Sequence, residues 1–492
     1  VEIDAAFDGD HSAEIEQLGR LVDHEMAAAG QIERPAGDLR CADELAAEAI
    51  GVEAGPLGVF RQRQIEHGAF RPRLRGGGCF GRRFALRSPG ADGPDVITVG
   101  GAFFARDILE RAGAEGRVGQ ANEIAAAGDR VAVSICDSTR AMPSGKVLPA
   151  ILDELNHLPS GNIRILVATG THRPSTSEEL ERILGGEILR DYEVINHVCT
   201  DQDSLADLGA TASGIPIVLN RAWAESDIRI TVGFVEPHFF AGFSGGPKLV
   251  APGLAGLETI LAIHSASLIA DERSSWGIID DNPLHGAIRE IAGRTGVHFS
   301  VDVTLNRDQE VTSVQAGEIF AVHEKARRFT KTTSMREVEQ PFDLVITTNS
   351  GYPLDLNLYQ TVKGLSGAAR VVKAGGIILC ASECSDGIPG GTDFAEMVTG
   401  MKSPGEFLEA ISRPGFRRQD QWQAQVMAQV LRKAEVYMKS SGLSDSEIQG
   451  CRMKPVGSIE GYVRDYLRKK PAARICVLPE GPQTIPYLKS SS

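Results

Sequence analysis

The chain runs to 492 residues, more than one typical hydrophobic core organises, so two domains and an appendage are expected. A hydrophobic share of 42%, 24% charged residues and a formal net charge of -14 describe an ordinary soluble globular protein and argue against a nucleic-acid binder, which needs concentrated Lys and Arg. No apolar run approaches the roughly 20 residues that cross a bilayer, and Val1-Glu2-Ile3-Asp4 lacks the basic end and apolar core of a secretory signal.

In chain order, residues 12–28 read as an amphipathic helix capped by Ser12, with Ile15, Leu18, Leu21, Val22 and Met26 at helical spacing. Residues 42–50 read as a second short helix. An arginine-rich stretch from Arg61 to Arg87 surrounds Gly76-Gly77-Gly78; a basic arm and a solvated linker both fit it. From about residue 128 the pattern sharpens. Val131 to Cys136 is an apolar strand that runs into Asp137-Ser138-Thr139-Arg140, followed by a helix at 147–157 and a strand from Ile163 to Ala168. After Gly170-Thr171-His172-Arg173-Pro174 a helix starts near Ser175, with Glu178 and Glu179 suiting its first turn. Ile228 to Val232 is a further strand. Apolar strands alternating with helices indicate a parallel sheet, and such sheets bind ligands beyond the carboxyl ends of their strands.

A second unit repeats this style. Phe342 to Thr347 is a strand, Leu358 opens a helix that continues through 368–374, and Gly376 to Ala381 is another strand. Residues 422–438 read as a helix and Arg474 to Leu478 as a late strand. The expected fold is therefore α/β with two lobes, each a mostly parallel sheet flanked by helices, and an active site in the cleft between them. The first lobe is placed at 101–290, the second at 295–492, and residues 1–100 form an extension without an assigned role.

The densest stretch lies between Gly233 and His264. Gly242 to Lys248, with Gly245 and Gly246, can offer backbone N–H groups and one cation to an anion, as a phosphate-binding loop does. Leu249 stands where a nucleotide-hydrolysing loop carries Ser or Thr, and a glycine turn needed for packing is the plainer alternative. His238 and His264 carry imidazoles that titrate near neutral pH or ligate a transition metal. Asp137 and Arg140 can orient a polar cofactor or form a loop salt bridge. His172 is either a structural histidine or one of two proton-transfer bases. Gln360 and Lys363, three apart at a helix start, share a face that suits a carboxylate or solvent. Eight cysteines form no C-x-x-C pair, and Cys380 with Cys384 lacks a second pair to complete a zinc site, which suits free thiols in a reducing cytoplasm.

As a set, D-S-T-R, G-T-H-R-P, E-P-H-F-F-A-G-F-S-G-G-P-K, I-H and Y-Q-T-V-K-G resemble the lactate racemase family that uses a nickel-pincer nucleotide cofactor, over about residues 128–492. Residues 1–100 do not resemble the usual N-terminal part of that family. The resemblance implies a pyridinium mononucleotide covalently attached at Lys248, with nickel ligated by His264 and loading by cofactor-synthesis proteins. It implies cofactor contacts from Asp137, Ser138, Thr139, Arg140, Gly245 and Gly246. His172 and His238 would be the two bases, and Tyr359, Gln360 and Lys363 would bind the substrate, a small 2-hydroxy acid. The chemistry is coherent: removing a hydride from the α-carbon gives a planar 2-keto acid, and its return to either face gives either enantiomer. Two alternatives stay open. One is a zinc-dependent hydrolase with His172, His238 and His264 as ligands; the other is a catalytically silent binder. Arg173 is a candidate for contacting a second substrate carboxylate.

Overall fold

In the computed structural model of the chain, residues 124–489 are described, together with two short strands, Glu2–Ile3 and Val96–Gly100. The helices expected at 12–28 and 42–50 and the arginine-rich stretch lie outside the described residues. Val131–Cys136 is buried along its whole length, as an apolar strand must be when both faces of a parallel sheet are covered. It pairs in parallel with Ile163–Ala168 on one side and Ile228–Phe234 on the other. Glu193–Asn196 extends this sheet in parallel at one end, and Phe299–Leu305 does so beside Ile228–Phe234. Val311–Gly317 and Val96–Gly100 close the other edge antiparallel, giving seven strands.

The second sheet has six strands. Ile475–Leu478, Phe342–Thr348, Val372–Ala381, Glu435–Lys439 and Lys454–Pro455 are parallel neighbours, with Glu2–Ile3 antiparallel at the edge. One continuous apolar core runs from Ala132 in the first sheet through Phe240, Trp276, Leu358 and Trp422 to Ile485, so the lobes share buried surface. Trp276 Nε1 donates to Ser366 Oγ at 3.0 Å, and Gln425 Nε2 to the Ala266 carbonyl at 2.8 Å, across that junction. Among the described residues no helix is long and apolar enough to cross a membrane.

Helix starts follow local chemistry. Ser177–Leu184 begins with a reciprocal capping box between Thr176 and Glu179, and Leu358–Ala369 begins at Asn357, whose side chain accepts from Gln360 N at 3.1 Å. Three expectations move. Phe299–Leu305 and Val311–Gly317 belong to the first sheet, so the second lobe starts after the helix Ile319–Ser334 rather than at 295. The helix from Leu358 stops at Ala369, and Val372 already pairs with Phe342. The helix expected at 422–438 stops at Lys433, because Glu435–Lys439 finds strand partners in Ile377–Ala381. In both of these helices tertiary pairing overrides a weak local preference.

Candidate active site

The polar loops lie at the carboxyl ends of the parallel strands. After Val131–Cys136, Asp137 folds back on its own loop: Oδ1 accepts from Thr139 N at 3.3 Å and from Thr139 Oγ1 at 2.7 Å. Its other oxygen, Oδ2, lies 2.7 Å from His172 Nδ1. Asp137 is buried, which by itself raises a carboxyl pKa, but the His172 and Thr139 hydrogen bonds and nearby Arg140 outweigh this and hold it below the ordinary value. An ionised carboxylate on Nδ1 fixes the proton there and leaves Nε2 of His172 as an acceptor. Ser138 is half-buried, and Thr139 is exposed apart from its bond to Asp137. Arg140 Nη1 donates to Glu236 Oε1 at 2.7 Å.

The short hairpin of Pro237–His238 and Gly242–Phe243 holds His238 against Phe240, ring centroids 4.6 Å apart and nearly perpendicular. His238 Nδ1 accepts from Ala241 N at 3.3 Å, and Nε2 lies 3.4 Å from Lys248 Nζ. The hydrogens balance when Nε2 carries the imidazole proton and Lys248 is a free amine, an assignment made from the bonding pattern. The electrostatics agree. Burial, then Arg140 and Lys363, bring Lys248 down to about 7, with Glu236 opposing. Burial, followed by Lys248, Arg140 and Lys363, holds His238 well below the ordinary imidazole value.

His264 ends the helix Leu257–Ile263 and is buried. Its Nδ1 lies 2.8 Å from the Ile260 carbonyl, which makes Nδ1 the donor and leaves the Nε2 lone pair free. Burial pushes this imidazole down to about 3, so it stays neutral and able to ligate. Lys248 and His264 flank the same ring: Lys248 Nζ is 5.9 Å from the Phe240 centroid, and the His264 ring is edge-on to it at 5.1 Å. From the second lobe, Lys363 Nζ donates to Gln360 Oε1 at 2.7 Å and is lowered to about 8 by burial and Arg140. Tyr359 OH reaches Asp420 Oδ1 at 3.3 Å, and Trp422 Nε1 donates to Tyr359 OH at 3.3 Å.

The two lobes therefore bring Arg140, Lys248, His238, His264 and Lys363 within electrostatic reach of one another, with the Asp137–His172 pair beside them. Other expectations do not survive. No group of three or more His, Cys, Asp or Glu side chains stands close enough to hold a metal ion among the described residues, so the zinc triad of His172, His238 and His264 is not assembled. Arg173 is spent on Glu179, with Nη1 and Nη2 at 2.8 and 2.7 Å from its two oxygens.

The glycine loop is a packed turn rather than an open cradle. Ser244 N bonds to the Glu236 carbonyl, Gly246 N to Asp302 Oδ1 and Lys248 N to the Gly245 carbonyl. Gly245 and Gly246 have φ of 74° and 48°, and a Cβ on either would strike Val235 or His323 at under 3 Å. The cations Arg140 and Lys363, rather than this loop's N–H groups, suit an anion here. Glu236, Asp420 and Trp422 have no role in the sequence reading, yet all three stand in the site. Glu236 lies two residues before His238, the one signal that would have flagged it.

A two-lobed α/β protein gathers a carboxylate-supported imidazole, a depressed lysine amine and further buried imidazoles at the strand ends, the composition of an enzyme site. Comparison with known proteins gives the family. Residues 116–277 match the lactate racemase N-terminal domain and residues 338–485 the lactate racemase C-terminal domain. The lactate racemase of Lactiplantibacillus plantarum is 36% identical over 363 residues, covering 73% of this chain and 85% of that protein. The lactate racemase of Thermoanaerobacterium thermosaccharolyticum is 32% identical over 354 residues, or 71% and 82%. The solved structure of the lactate racemase apoprotein from T. thermosaccharolyticum superposes with a TM-score of 0.73 at 30% identity, covering 78% of this chain and 93% of that one. A Thermotoga maritima protein of 19% identity, TM-score 0.61, shares the fold. The chain belongs to the lactate racemase family and is an enzyme of the isomerase class.

Proposed function

We propose that this enzyme interconverts the enantiomers of lactate or a closely related 2-hydroxy acid, with His172 and His238 as the acid and base. The observation that carries the reading is the contact between His238 Nε2 and the Lys248 amine, 3.4 Å apart, with the rings of Phe239 and Phe240 against the imidazole. The residues fit a nickel-pincer nucleotide. Lys248 offers an amine that is substantially unprotonated near neutral pH, and His264 offers an unshared Nε2 lone pair beside the same aromatic ring. Lys248 would hold the group covalently and His264 would ligate the nickel, with loading by cofactor-synthesis proteins. When bound, this group supplies the hydride acceptor that a 2-hydroxy acid needs for inversion.

The chain's own residues do the rest. Lys363, steadied by Gln360, takes the substrate carboxylate. His172 Nε2, directed by Asp137, accepts the hydroxyl proton of one enantiomer and returns it. His238 faces the mirror-related oxygen as the acid: its Nε2 carries the imidazole proton, which the free amine of Lys248 accepts at 3.4 Å, and attachment at Lys248 would leave that proton for the substrate oxygen. Phe239, Phe240 and Trp422 exclude water from the reacting carbon. The test is protein purified from a nickel-fed host that also makes the cofactor-synthesis proteins. Chiral chromatography should show either lactate enantiomer relaxing to the racemate, and peptide mass analysis should show a modified Lys248. Full activity with an unmodified Lys248 overturns the reading.

A further inference from the structure

Beneath the loop that carries Lys248 lies a carboxyl outside the reacting site. Asp302, in the middle of Phe299–Leu305, is 0% exposed; its Oδ1 accepts from Gly246 N at 3.0 Å, and Oδ2 has no partner among the described residues. Glycines make room for it. A Cβ on Gly233, its register neighbour on the parallel strand, would stand 2.4 Å from Oδ1, and a Cβ on Gly245 3.1 Å from it. From the other side comes His323, 1% exposed on the helix Ile319–Ser334. Its Nε2 donates to the Ser244 carbonyl at 2.9 Å, and its ring fills the space beside Gly246. Residues 244–246 are thus gripped by an acceptor below and a donor above. The turn Gly246–Leu249, which presents Lys248, starts at that point. An unpaired buried carboxyl oxygen is destabilising, a cost that an apolar strand residue would avoid.

We propose that Asp302 and His323 are positioning residues for Lys248, a two-sided clamp on the glycine turn that holds the amine inside its enclosure. Neither side chain reaches the reacting groups; both act through the backbone of 244–246. The groups facing Lys248 are Arg140, Glu236, His238, His264, His285 and Lys363, so a small displacement changes its surroundings. Burial pushes Asp302 up to about 7, against the pull of the Gly246 N–H, and Cys136 nearby is pushed up to about 12 and is uncharged. Burial lowers His323 to about 4, so its ring is neutral and keeps the Nε2 proton for Ser244. Near neutral pH the His323 ring is therefore uncharged and Asp302 is only partly ionised.

The test needs no cofactor, so it stands apart from the racemase proposal. Full-length protein made without the cofactor-synthesis proteins is pulsed with acetic anhydride from about pH 5 to about pH 10, and acetylation of Lys248 is read by peptide mass. The wild-type midpoint is expected near 7. Asp302→Asn keeps the Oδ1 acceptor, and His323→Gln keeps an N–H donor; both should stay within about 0.3 unit. Asp302→Ala and His323→Phe should raise the midpoint by about one unit or more, a loss of labelling rate at pH 7 of about fivefold or more. A purely structural role would lower the melting temperature and leave the midpoint where it is. Folded Asp302→Ala protein with the wild-type midpoint overturns the proposal. Should the disruptive variants not fold, a shift of about one unit in Asp302→Asn or His323→Gln overturns it too, and midpoints at the wild-type value support it. Absence of lactate racemisation would leave all these midpoints untouched.

Discussion

Asp137→Asn isolates the role of the carboxylate behind His172. In the wild type, Oδ1 is held by two Thr139 donors, and Oδ2 accepts from His172 Nδ1 at 2.7 Å. In the variant the amide oxygen stays with Thr139, so the NH2 group faces Nδ1. Two donors cannot share that contact. The ring responds by moving its proton to Nε2, which then cannot accept the substrate hydroxyl proton. A positioned general base is worth about 10²–10⁴ in rate, and some of the correct tautomer survives. The expected loss is about 10²–10³ in kcat/KM, or roughly 3–4 kcal/mol in the barrier. Initial rates are read by chiral chromatography from each enantiomer, normalised to the fraction of Lys248 that is modified. Enantiomers have equal free energy, so the loss must be the same from both sides, which provides an internal check. A variant within about threefold of wild type would refute the two-base assignment, because the contribution expected of a general base is far larger.

Lys248→Met tests the cost of burying the amine. Its folded pKa is about 7 against an ordinary 10.5, so between those values the unfolded chain holds a proton that the folded chain lacks. Stability of the unloaded wild type therefore rises with pH through that window, and the full cost is felt below it. The Met variant should be more stable by about 2 kcal/mol at slightly acid pH, after discounting for partial exposure, with the difference fading towards pH 10; urea melts at several pH values decide. Arg173→Ala should retain activity within about twofold, because Glu179 already occupies the guanidinium and the residue is exposed; a marked rise in KM would return it to the substrate site.

The readable parts of this fold are those whose cause is local. Val131–Cys136 is one apolar run, and Thr176 with Glu179 spells a helix start in four residues. Phe299-Ser-Val-Asp-Val-Thr-Leu305 alternates like a half-exposed strand of a new unit, yet Ser300, Asp302 and Thr304 are buried. Their polarity is absorbed by Thr231, Gly246 and Thr312, partners that pairwise pattern cannot reveal. The same holds in the site. The histidines and Lys248 stand in recognisable motifs, whereas Glu236 acquires its meaning from Arg140, 96 positions away. Asp420 does so through Tyr359, 61 positions away. The glycine turn is the opposite case, since its composition suggests an anion cradle and only the packing shows why Gly245 and Gly246 are needed.

Charge balance gives the remaining prediction. Arg140 is matched by Glu236, with Asp137 also within its reach. Among the described residues, the Lys363 amine has the neutral Gln360 as its hydrogen-bond partner. Burial and Arg140 bring it down to about 8, so a proton on Lys363 is costly until an anion arrives. A bound carboxylate favours the ammonium form and raises that pKa. By linkage, binding takes up a proton above pH 8, and affinity must fall there. The inhibition constant of an unreactive carboxylate, 2-hydroxyisobutyrate, should be level between about pH 6 and 7.5 and then weaken by close to tenfold per unit above about 8. Lys363→Arg, which stays charged across this range, should remove that limb while changing the level of binding. An inhibition constant that stays flat to about pH 9.5 in the wild type would mean that Lys363 does not receive the carboxylate.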